Sequence, residues 1–455
     1  MVSVVWLTHD LRLHDHAAFA QAARAKRPIV AVYATQFSHP TYQKNEAPLK
    51  AAARLHALHD LKQQLDVYQI PLMYVDAPAS QALDQVDQLF GIDTVYGHYH
   101  AAPYERYEAL KIQKAYPLEL YESATLIHPN DLPFDVERTP NGYTSFRKKV
   151  EKLWVVRDLI LYDLSVQTPM EHAFSLPPVD VNDFILTPGE TAGLKRLDYY
   201  TFQSKKASTY KKTRNGMKNL DDSTKFSMYL AHGALSPRMI YHTVKAYEKA
   251  HGSDENTYWI IFELLWRDYF KWQARKHLNT FFHKDGIQQK RIDWIKDDAR
   301  LQAIQTGTTG YPLIDANIKE LLATGYMSNR GRQNVASFWT KNLGLDWRLG
   351  EAFFEKHLID YDVESNTGNW QYVTGIGNDS MPFRYFDVIK QGERYDAHES
   401  YLLKWLPELK KVTTGTRYRW PRMAPSERHA YALDYPDPIV DFYASLEVMK
   451  KRVGA

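Results

Sequence analysis

Residues 326–372 read YMSNRGRQNVASFWTKNLGLDWRLGEAFFEKHLIDYDVESNTGNWQY, a segment that combines a polar helical face with an apolar one. Asn329, Arg332 and Gln333 are spaced i, i+3 and i+4, which predicts that they lie on one side of a helix. Apolar residues follow at spacings that direct this helix into a core: Val335, Phe338, Trp339 and Leu343. The segment is therefore predicted to contain a buried helix that carries polar side chains.

Charged residues are concentrated in the same segment. Arg330 and Arg332 come early in it, and Asp360 and Asp362 come late, just before Trp370. Charges set among tryptophans are costly to bury unless they are paired. The residues alone leave two interpretations open, a ligand site or a salt-bridged helical hairpin with no further role.

Length and composition describe a globular protein of two domains. The 455 residues are too many for one ordinary core, and 44% hydrophobic with 24% charged residues is a usual balance. A formal charge of +3 means that any nucleic-acid site must be a local patch. The sequence has neither a run of about eighteen apolar residues nor an N-terminal targeting pattern, so we predict a cytoplasmic protein.

Cysteine is absent from the sequence. This excludes disulfides, thiolate zinc sites, cysteine nucleophiles and an iron–sulfur cluster held by cysteine. Tryptophan is unevenly distributed, since nine of the eleven lie at or after Trp259. The two halves of the chain are thus expected to be domains of different type.

Strand and helix patterns alternate in the first part of the chain. Short apolar runs predict strands at 3–7, 29–34, 72–76, 93–99 and 118–122, with a helical pattern in each interval. This order predicts an α/β domain with a doubly wound parallel sheet, which binds ligands beyond the carboxyl ends of its strands. No G-x-G-x-x-G follows the first strand, which argues against a dinucleotide-binding Rossmann domain.

Five side chains of metal-ligand type follow the first predicted strand: His9, Asp10, His14, Asp15 and His16. Asp10 or Asp15 could cap the next helix, and such clusters seldom have closed coordination geometry, so no metal site is predicted. His98 and His100 lie at the end of the fourth predicted strand and just after it, where exposed loop positions are equally compatible with the sequence.

The pattern becomes helical from Leu194 onward. Ser223, Thr224 and Ser227 lie where a helix is predicted to begin. Hydroxyls and free backbone N–H groups at such a position suit a pyrophosphate, although the same residues are also common N-caps.

A strongly apolar helix is predicted over 260–272. Glu263, Trp266 and Arg267 share one face of it, at i, i+3 and i+4. Glu and Arg on a buried face indicate a ligand, whereas on an exposed face they would be an ordinary helical ion pair.

Several motifs in order resemble the FAD-binding core of the photolyase/cryptochrome family, and most of all its DASH-type branch: NRGRQ (329–333), DWR (346–348), IDYD (359–362), SNTGNW (365–370) and GIGND (375–379). The segment STKFSMYLAHGALSPR (223–238) resembles the family's flavin-phosphate segment, with Met228 and His232 as departures. The N-terminal WLTHDLRLHDH (6–16) resembles the first strand and turn of photolyases, with departures at Thr8 and His9.

The resemblance implies an all-α C-terminal FAD-binding domain. The residues it implies for FAD are Tyr210, Ser223, Thr224, Lys225, Phe226, Ser227, Glu263, Arg267, Arg332, Asp360, Asp362 and Asn366. Asn366 would face the reactive edge of the flavin, and Asp362 would anchor the flavin or its ribose. Arg332 and Asp360 would form an ion pair whose positive charge favours the reduced flavin anion. A folate antenna such as methenyltetrahydrofolate is also implied, with Glu105 as its candidate carboxylate.

The resemblance implies an electron path through Trp370, Trp347 and Trp294 to the photoexcited flavin. It also implies contacts with UV-damaged DNA at Glu263, Trp266, Arg267, Asn329, Arg330, Gln333, Tyr372, Arg384 and Gln391. Photolyases that repair duplex DNA typically carry Met at the position of Gln333 and Trp at that of Tyr372. Gln333 and Tyr372 present less apolar surface to a base than Met and Trp would, so stacking offsets less of the free energy needed to extract a dimer from a duplex. Single-stranded or looped DNA is therefore the expected substrate.

The predicted organisation is an α/β antenna domain over 1–128, a connector over 129–195, a helical FAD domain over 196–445 and a tail over 446–455. The function implied by the resemblance is light-driven repair of cyclobutane pyrimidine dimers by a monomeric deoxyribodipyrimidine photolyase without membrane association. A blue-light photoreceptor cryptochrome without repair activity is the alternative. A nucleic-acid-binding protein indifferent to light is a third possibility, from another class.

Overall fold

The computed structural model describes residues 1–170, 174–181, 184–379, 381 and 383–454. They form two compact units. The first unit comprises Met1–Lys211 and Thr224–Asn279, and the second comprises Lys212–Ser223 and Thr280–Ala455. The domain boundaries predicted from the sequence fall elsewhere, at 128, 195 and 445, and remain predictions.

A parallel five-stranded sheet lies in the first unit. Its strands are β1 Val2–Leu7, β2 Ile29–Gln36, β3 Leu72–Pro78, β4 Ile92–His98 and β5 Leu118–Tyr121. They are ordered β3-β2-β1-β4-β5, with Val5 of β1 paired to Ala31 on one side and Tyr96 on the other. The chain direction across the sheet reverses between β1 and β4, the usual ligand-binding point of such a sheet. The predicted doubly wound sheet is confirmed.

The helices of the first part of the chain are α1 Ala17–Arg24, α2 Pro48–Asp66, α3 Ala79–Phe90, α4 Pro103–Ala115, α5 Tyr143–Leu153, α6 Glu190–Asp198, α7 Tyr210–Thr213, α8 Phe226–His232, α9 Pro237–His251 and α10 Glu255–His277. Side-chain caps set where two of them begin. Ser236 accepts from Met239 N at 3.0 Å before α9, and Asp254 accepts from Asn256 and Thr257 N before α10. The predicted cap of α1 is wrong, because His16, and neither Asp10 nor Asp15, accepts from Phe19 N.

The predicted connector contains α5 and the start of α6, and most of its remaining described residues have no regular secondary structure. Gln167 fastens it to the sheet, because its side chain accepts from Ile29 N at 2.8 Å and donates to Ile29 O at 3.0 Å. Tyr162 and Leu164 pack against the core beneath one face of the sheet. The length of irregular chain is thus compensated by hydrogen bonds and burial.

The described part of the second unit is helical. Its helices are α11 Asp298–Thr306, α12 Pro312–Thr324, α13 Asn329–Ser337, α14 Trp347–His357, α15 Val363–Thr374, α16 Val388–Tyr395, α17 Ser400–Trp405, α18 Pro425–Ala430 and α19 Phe442–Val453. A π-helical turn, Phe338–Asn342, continues α13. Val335, Phe338, Trp339 and Leu343 are all fully buried, as predicted.

The predicted tail is largely helical, because α19 extends through it. Leu446, Met449 and Val453 are buried in the core of the second unit. Their spacing of three and four residues forms an apolar helical stripe, which is why the segment packs instead of projecting. No helix among the described residues is long and apolar enough to span a membrane.

Candidate functional site

Arg332 on α13 and Asp360 in the turn before α15 form the ion pair expected from the sequence. Arg332 Nη2 lies 2.9 and 2.8 Å from the two carboxylate oxygens, and Nε donates to Met327 O at 2.9 Å. Burial lowers the pKa of Arg332, but the Asp360 carboxylate outweighs it, and the net shift is upward. Within the described residues these contacts use Nε and Nη2, which leaves Nη1 for a ligand.

The first turn of α13 places two further candidate side chains. Ser328 caps the helix by accepting from Gly331 N at 3.0 Å. Gly331 is required because a Cβ there would lie 1.9 Å from Asn317 Oδ1 on α12. Asn329 is exposed and Arg330 is half-buried.

Arg330 lies in a cluster of cationic side chains. It donates to Asn215 Oδ1 at 2.9 Å and to Gln333 Oε1 at 3.0 Å, and its guanidinium lies 4.6 Å from the centre of the Tyr395 ring. Burial lowers the pKa of Arg330, and the positive charges of Arg214 and Arg394 lower it further. Like charges held together in this way favour an anionic ligand. Sequence analysis did not identify Arg214 and Arg394, because they are distant along the chain from Arg330.

Tyr372 and Arg384 are brought together, also in the second unit. The Arg384 guanidinium lies 5.4 Å from the centre of the Tyr372 ring and is paired with Asp379 at 2.5 and 3.1 Å. Tyr372 is half-buried, and burial raises its pKa. Gln391, on α16, is half-buried, and its Oε1 is enclosed without a hydrogen-bond donor among the described residues.

The start of α15 holds two further candidates of this unit. Asp362 caps the helix by accepting from Ser365 N at 3.0 Å. Asn366, one turn later, is half-buried, and its Nδ2 lies 3.2 Å from Glu351 O and 3.3 Å from Glu351 Oε1. Thr367 also donates to Glu351, which orients the first turn of α15 relative to α14.

The three tryptophans expected to carry electrons differ in burial. Trp347 and Trp370 are fully buried, while Trp294 is half-buried at the edge of the same core. Gly350 follows Trp347 by one turn of α14, and a Cβ there would lie 2.2 Å from the Trp370 ring. Because residues i and i+3 share a helix face, the Trp370 ring packs on the face of α14 that carries Trp347.

In the first unit, the segment predicted to bind phosphate begins α8. Lys225 is buried and adopts a left-handed conformation (φ 59°) immediately before the helix, Ser227 is exposed, and Thr224 Oγ1 lies 3.4 Å from Phe226 N.

Gly233 ends α8 with φ +70° and contacts the backbone of His9, which is why a side chain is not tolerated there. Tyr210 is buried, and Ser223 is the last residue of the second unit's N-terminal segment.

The three candidate side chains of α10 also lie in the first unit. Trp266 stacks on Tyr143, with ring centres 3.6 Å apart and planes inclined by 12°. Arg267 donates to Ala124 O and lies 3.4 Å from Leu230 O. Glu263 is half-buried. This face of α10 is thus partly buried, and one side of the Trp266 ring is covered by Tyr143.

Asp268, which sequence analysis did not single out, anchors the chain that Arg267 contacts. It is fully buried and accepts from Leu126 and Ile127 N, both at 2.9 Å. Burial raises the pKa of Asp268 to about 6. A carboxylate next to Arg267 in the sequence could have indicated such a role, but the two N–H groups that donate to it are distant along the chain.

The histidine and aspartate cluster after β1 is divided among several partners. Asp15 pairs with Arg238 at 2.6 Å, and His14 lies 2.5 Å from Glu190. His98 is buried at the end of β4 and does not lie in an exposed loop. The reason is the neighbouring carboxylate of Asp10, which lies 2.7 Å from His98 Nδ1.

Asp10 also contacts His16, at 3.1 Å, so one carboxylate and two imidazoles converge in a buried cluster of metal-ligand type. Burial lowers the pKa of His16 to about 4, so this ring is neutral. Its Nδ1 accepts from Phe19 N at 3.2 Å, which leaves the proton on Nε2, facing Asp10. A metal ion bound at Nε2 of His16, 3.1 Å from the Asp10 carboxylate, would therefore have to displace that proton.

Glu105, the candidate antenna carboxylate, is buried in the first turn of α4, and its Oε1 lies 3.5 Å from His9 Nε2. His100, half-buried, has its Nε2 2.6 Å from Thr8 Oγ1. These side chains follow β1 and β4, at the point where the chain direction across the sheet reverses. An antenna at Glu105 stays a prediction.

Comparison with known proteins gives the family. A family model described as the FAD binding domain of DNA photolyase matches residues 259–455, and one described as DNA photolyase matches residues 3–164. A curated relative, cryptochrome DASH from Synechocystis sp., is 38% identical over 478 residues, which cover 98% of this chain and 97% of the relative. The chain belongs to the photolyase/cryptochrome family.

Solved structures of this family have the same fold. The cryptochrome of Synechocystis sp. PCC6803 matches with a TM-score of 0.91 and 38% identity over 99% of both chains. A bacterial class III photolyase from Agrobacterium tumefaciens matches with a TM-score of 0.85 and 26% identity, over 100% of this chain and 97% of that one. The predicted resemblance, fold class and FAD-binding domain of this photolyase/cryptochrome are confirmed.

Proposed function

We propose that this chain is a light-driven, FAD-dependent photolyase that splits cyclobutane pyrimidine dimers and prefers single-stranded or looped DNA. The observation that carries the proposal is the Arg332–Asp360 pair. It lies inside the region matched by the FAD-binding family model, and one guanidinium nitrogen remains for a ligand beside a fully buried carboxylate.

The side chains fit a flavin chemically. Reduced flavin at neutral pH is an anion, and a guanidinium that Asp360 keeps charged despite burial stabilises negative charge beside it. We propose that Arg332 supplies this charge, while Asp360 holds the guanidinium in place through both carboxylate oxygens. Asn366 is proposed to position the reactive edge of the flavin, and Asp362 to hold the flavin or its ribose.

The phosphates of FAD are proposed to bind to Tyr210 and the segment that begins α8. Ser223, Thr224 and Ser227 offer hydroxyl donors, and the left-handed Lys225 turns the backbone so that the N–H groups of Phe226 and Ser227 begin the helix. Such groups suit a pyrophosphate. When bound, FAD supplies the light-driven one-electron chemistry, and the protein binds, orients and excludes water.

DNA binding is proposed to use the cationic cluster around Arg330. Arg214 and Arg394 lie close enough to lower the pKa of Arg330, which is the arrangement expected for a phosphate site. Asn329, Arg384 and Gln391 are proposed as further contacts, with Arg384 weakened by its pairing to Asp379.

The preference for single strands is proposed from Gln333 and Tyr372. Gln333 Oε1 is hydrogen-bonded to Arg330, so the amide is held by a polar neighbour and presents little apolar surface to a base. Tyr372 is smaller than the tryptophan of duplex-specific relatives, and base stacking contributes roughly 1–3 kcal/mol. Extraction of a dimer from a duplex costs a few kcal/mol more than binding one that is already unstacked.

Three side chains of α10 are proposed to complete the substrate and cofactor contacts. Glu263 would accept hydrogen bonds from the dimer, and Trp266, whose stacking on Tyr143 fixes its ring, would pack against a base. Arg267 would act at the flavin or the DNA backbone.

A blue-light photoreceptor is the second candidate, favoured by the name of the curated relative, cryptochrome DASH. The two functions are separated by incubating the purified protein with a single-stranded oligonucleotide that carries one thymine dimer, under blue light and in the dark. The photolyase proposal expects flavin absorption bands and loss of the dimer only in the light. Flavin bands without dimer loss would select the photoreceptor, and absence of flavin would favour a binding protein indifferent to light.

A further inference from the structure

Trp370 has a second tryptophan neighbour, Trp339, in the π-helical turn after α13. The two ring centres lie 5.9 Å apart with planes inclined by 82°, an edge-to-face contact. Trp339 is 0% exposed and Trp370 2%. Solvent is therefore excluded from the contact, and the two indoles are as close as aromatic pairs ordinarily are.

The indole hydrogen bonds of Trp339, Trp347 and Trp370 differ in a way that favours oxidation of the first two. Trp339 Nε1 donates to Asp346 O at 3.1 Å, and Trp347 Nε1 donates to Lys284 O at 3.0 Å. Trp370 Nε1 is buried without an acceptor among the described residues. A carbonyl acceptor stabilises positive charge on an indole, so Trp339 and Trp347 should each lose an electron more easily than Trp370.

We propose that Trp339 is a second electron donor to Trp370, so that the electron path branches at Trp370. The inference rests on the proposed function, which provides the photoexcited flavin as the one-electron oxidant. Trp370 gives up one electron and becomes a radical cation. One electron from either Trp347 or Trp339 then restores Trp370, no bond is broken, and the positive charge remains on the donor.

The two branches have different ends. From Trp347 the charge can pass to the half-buried Trp294, where a thiol reductant in solution can supply the missing electron. Trp339 is fully enclosed, and its other ring neighbour is Phe353 at 6.1 Å. A phenyl ring is harder to oxidise than an indole, so among the ring contacts of Trp339 with described residues, Trp370 is the indole through which the charge returns. The branch through Trp339 stores the charge briefly and lowers the yield of stable photoreduction.

Transient absorption of the FAD-loaded protein, which records tryptophan radicals directly, tests the branch. The Trp347→Phe substitution removes the path from Trp370 to Trp294. In this variant we expect a tryptophan radical with a longer lifetime than a radical that is confined to Trp370. The double variant Trp339→Phe/Trp347→Phe is expected to lose it. Absence of this radical in Trp347→Phe, or an equal yield of it in the double variant, overturns the proposal.

A near-isosteric replacement provides a second test of the branch in case the double variant misfolds. Fluorinated tryptophan incorporated at position 339 is harder to oxidise but fills the same space, and it should lower the radical yield in the Trp347→Phe background. In a chain with Trp347 intact, Trp339→Phe should raise the yield of photoreduction with a thiol donor. The control Trp420→Phe, another fully buried indole bonded to a carbonyl, should leave both unchanged.

Trp370→Phe separates this inference from the function on which it rests. If the wild-type protein binds no flavin, or forms no tryptophan radical in light, the proposed electron path fails and the branch fails with it. If the radicals form in wild type and vanish in Trp370→Phe while FAD stays bound, the path holds. The effect of replacing Trp339 then decides whether the path branches, independently of the proposed function.

Discussion

The Arg332 guanidinium contacts both carboxylate oxygens of Asp360, but the two side chains are not equally buried. The side chain of Asp360 is 0% exposed and that of Arg332 is 25% exposed. The carboxylate thus depends on this one cation for its charge to be tolerated, whereas the cation can also be hydrated. Removal of Arg332 is therefore expected to change stability by a different amount from removal of Asp360.

Arg332→Ala should destabilise the protein more than Asp360→Ala. Removing one partner of a buried pair costs roughly 3–5 kcal/mol, and the upper end applies where the enclosed carboxylate is left uncompensated. Asp360→Ala leaves a guanidinium that still reaches water, so its cost should be lower. Urea denaturation measures both, and the flavin-to-protein ratio should fall in each variant.

The control for this pair is Arg452→Ala, because the Arg452–Asp293 pair is 35% and 90% exposed and should contribute little. Normal FAD occupancy in purified Asp360→Ala would remove Asp360 from the flavin site.

Gly350→Ala should destabilise the protein and disturb the electron path. Alanine in a helix interior is usually favourable by up to about 1 kcal/mol. Here the new Cβ would lie 2.2 Å from the Trp370 ring, and overpacking of a core typically costs about 1–3 kcal/mol. The net effect is a lower melting temperature and slower flavin photoreduction.

The matched control is Gly142→Ala, where a Cβ meets no atom within 4 Å and the backbone φ is −97°. Gly142 is the N-cap of α5, where alanine is less favourable than glycine, so Gly142→Ala should lower stability less than Gly350→Ala and leave photoreduction unchanged. If Gly350→Ala proves as stable as wild type, α14 does not pack against Trp370 as closely as described.

Lys341 gives a pH dependence of stability. It is buried, donates to Thr374 O at 2.6 Å and lies 4.8 Å from the centre of the Phe383 ring. Burial, with a smaller contribution from Lys290, lowers the pKa of Lys341 from 10.5 to about 7. Between these two values the unfolded chain binds more protons than the folded one, so this residue makes stability rise with pH, by at most roughly 1.4 kcal/mol per pH unit.

Replacing the ionisable group by Lys341→Met should flatten that slope, as measured by urea denaturation at several pH values in this window. Lys390→Met, at a side chain that is 69% exposed, is the control and should leave the slope unchanged. Identical slopes in wild type and Lys341→Met would mean that Lys341 stays charged throughout.

Arg330 should contribute more to DNA affinity than Arg384. Among the described residues the hydrogen-bond partners of Arg330 are neutral amides, whereas Arg384 is paired with Asp379. Arg330→Ala should therefore weaken binding and reduce the salt dependence by about one phosphate contact. Arg384→Ala should weaken binding less, with FAD retained. The measurement is a salt titration of oligonucleotide affinity, and an Arg384 effect equal to or larger than that of Arg330 would reverse the assignment.

The sheet, its strand positions and the ion pair of Arg332 with Asp360 could be predicted because local pattern or resemblance determines them. Apolar runs of strand length separated by helical patterns leave few arrangements other than a doubly wound sheet. The arginine and the aspartate each lie in a motif that resembles the family.

Contacts between distant positions could not be predicted in this way. The edge of Trp339 against Trp370 depends on the π-helical turn after Ser337, which shifts the register of the side chains that follow. The division of the histidine cluster depends on Glu190 and Arg238, which lie far along the chain. The role of α19 was missed because its apolar stripe is short and interrupted by charged residues.

The most direct test of the proposed function compares repair of one thymine dimer in matched single- and double-stranded oligonucleotides, under blue light and at fixed salt, because phosphate contacts are salt-dependent. We expect the single strand to be repaired in the light and the duplex to be repaired much more slowly. Equal rates on both would contradict the account of Gln333 and Tyr372. No repair of either substrate by the flavin-loaded protein would contradict the photolyase function itself.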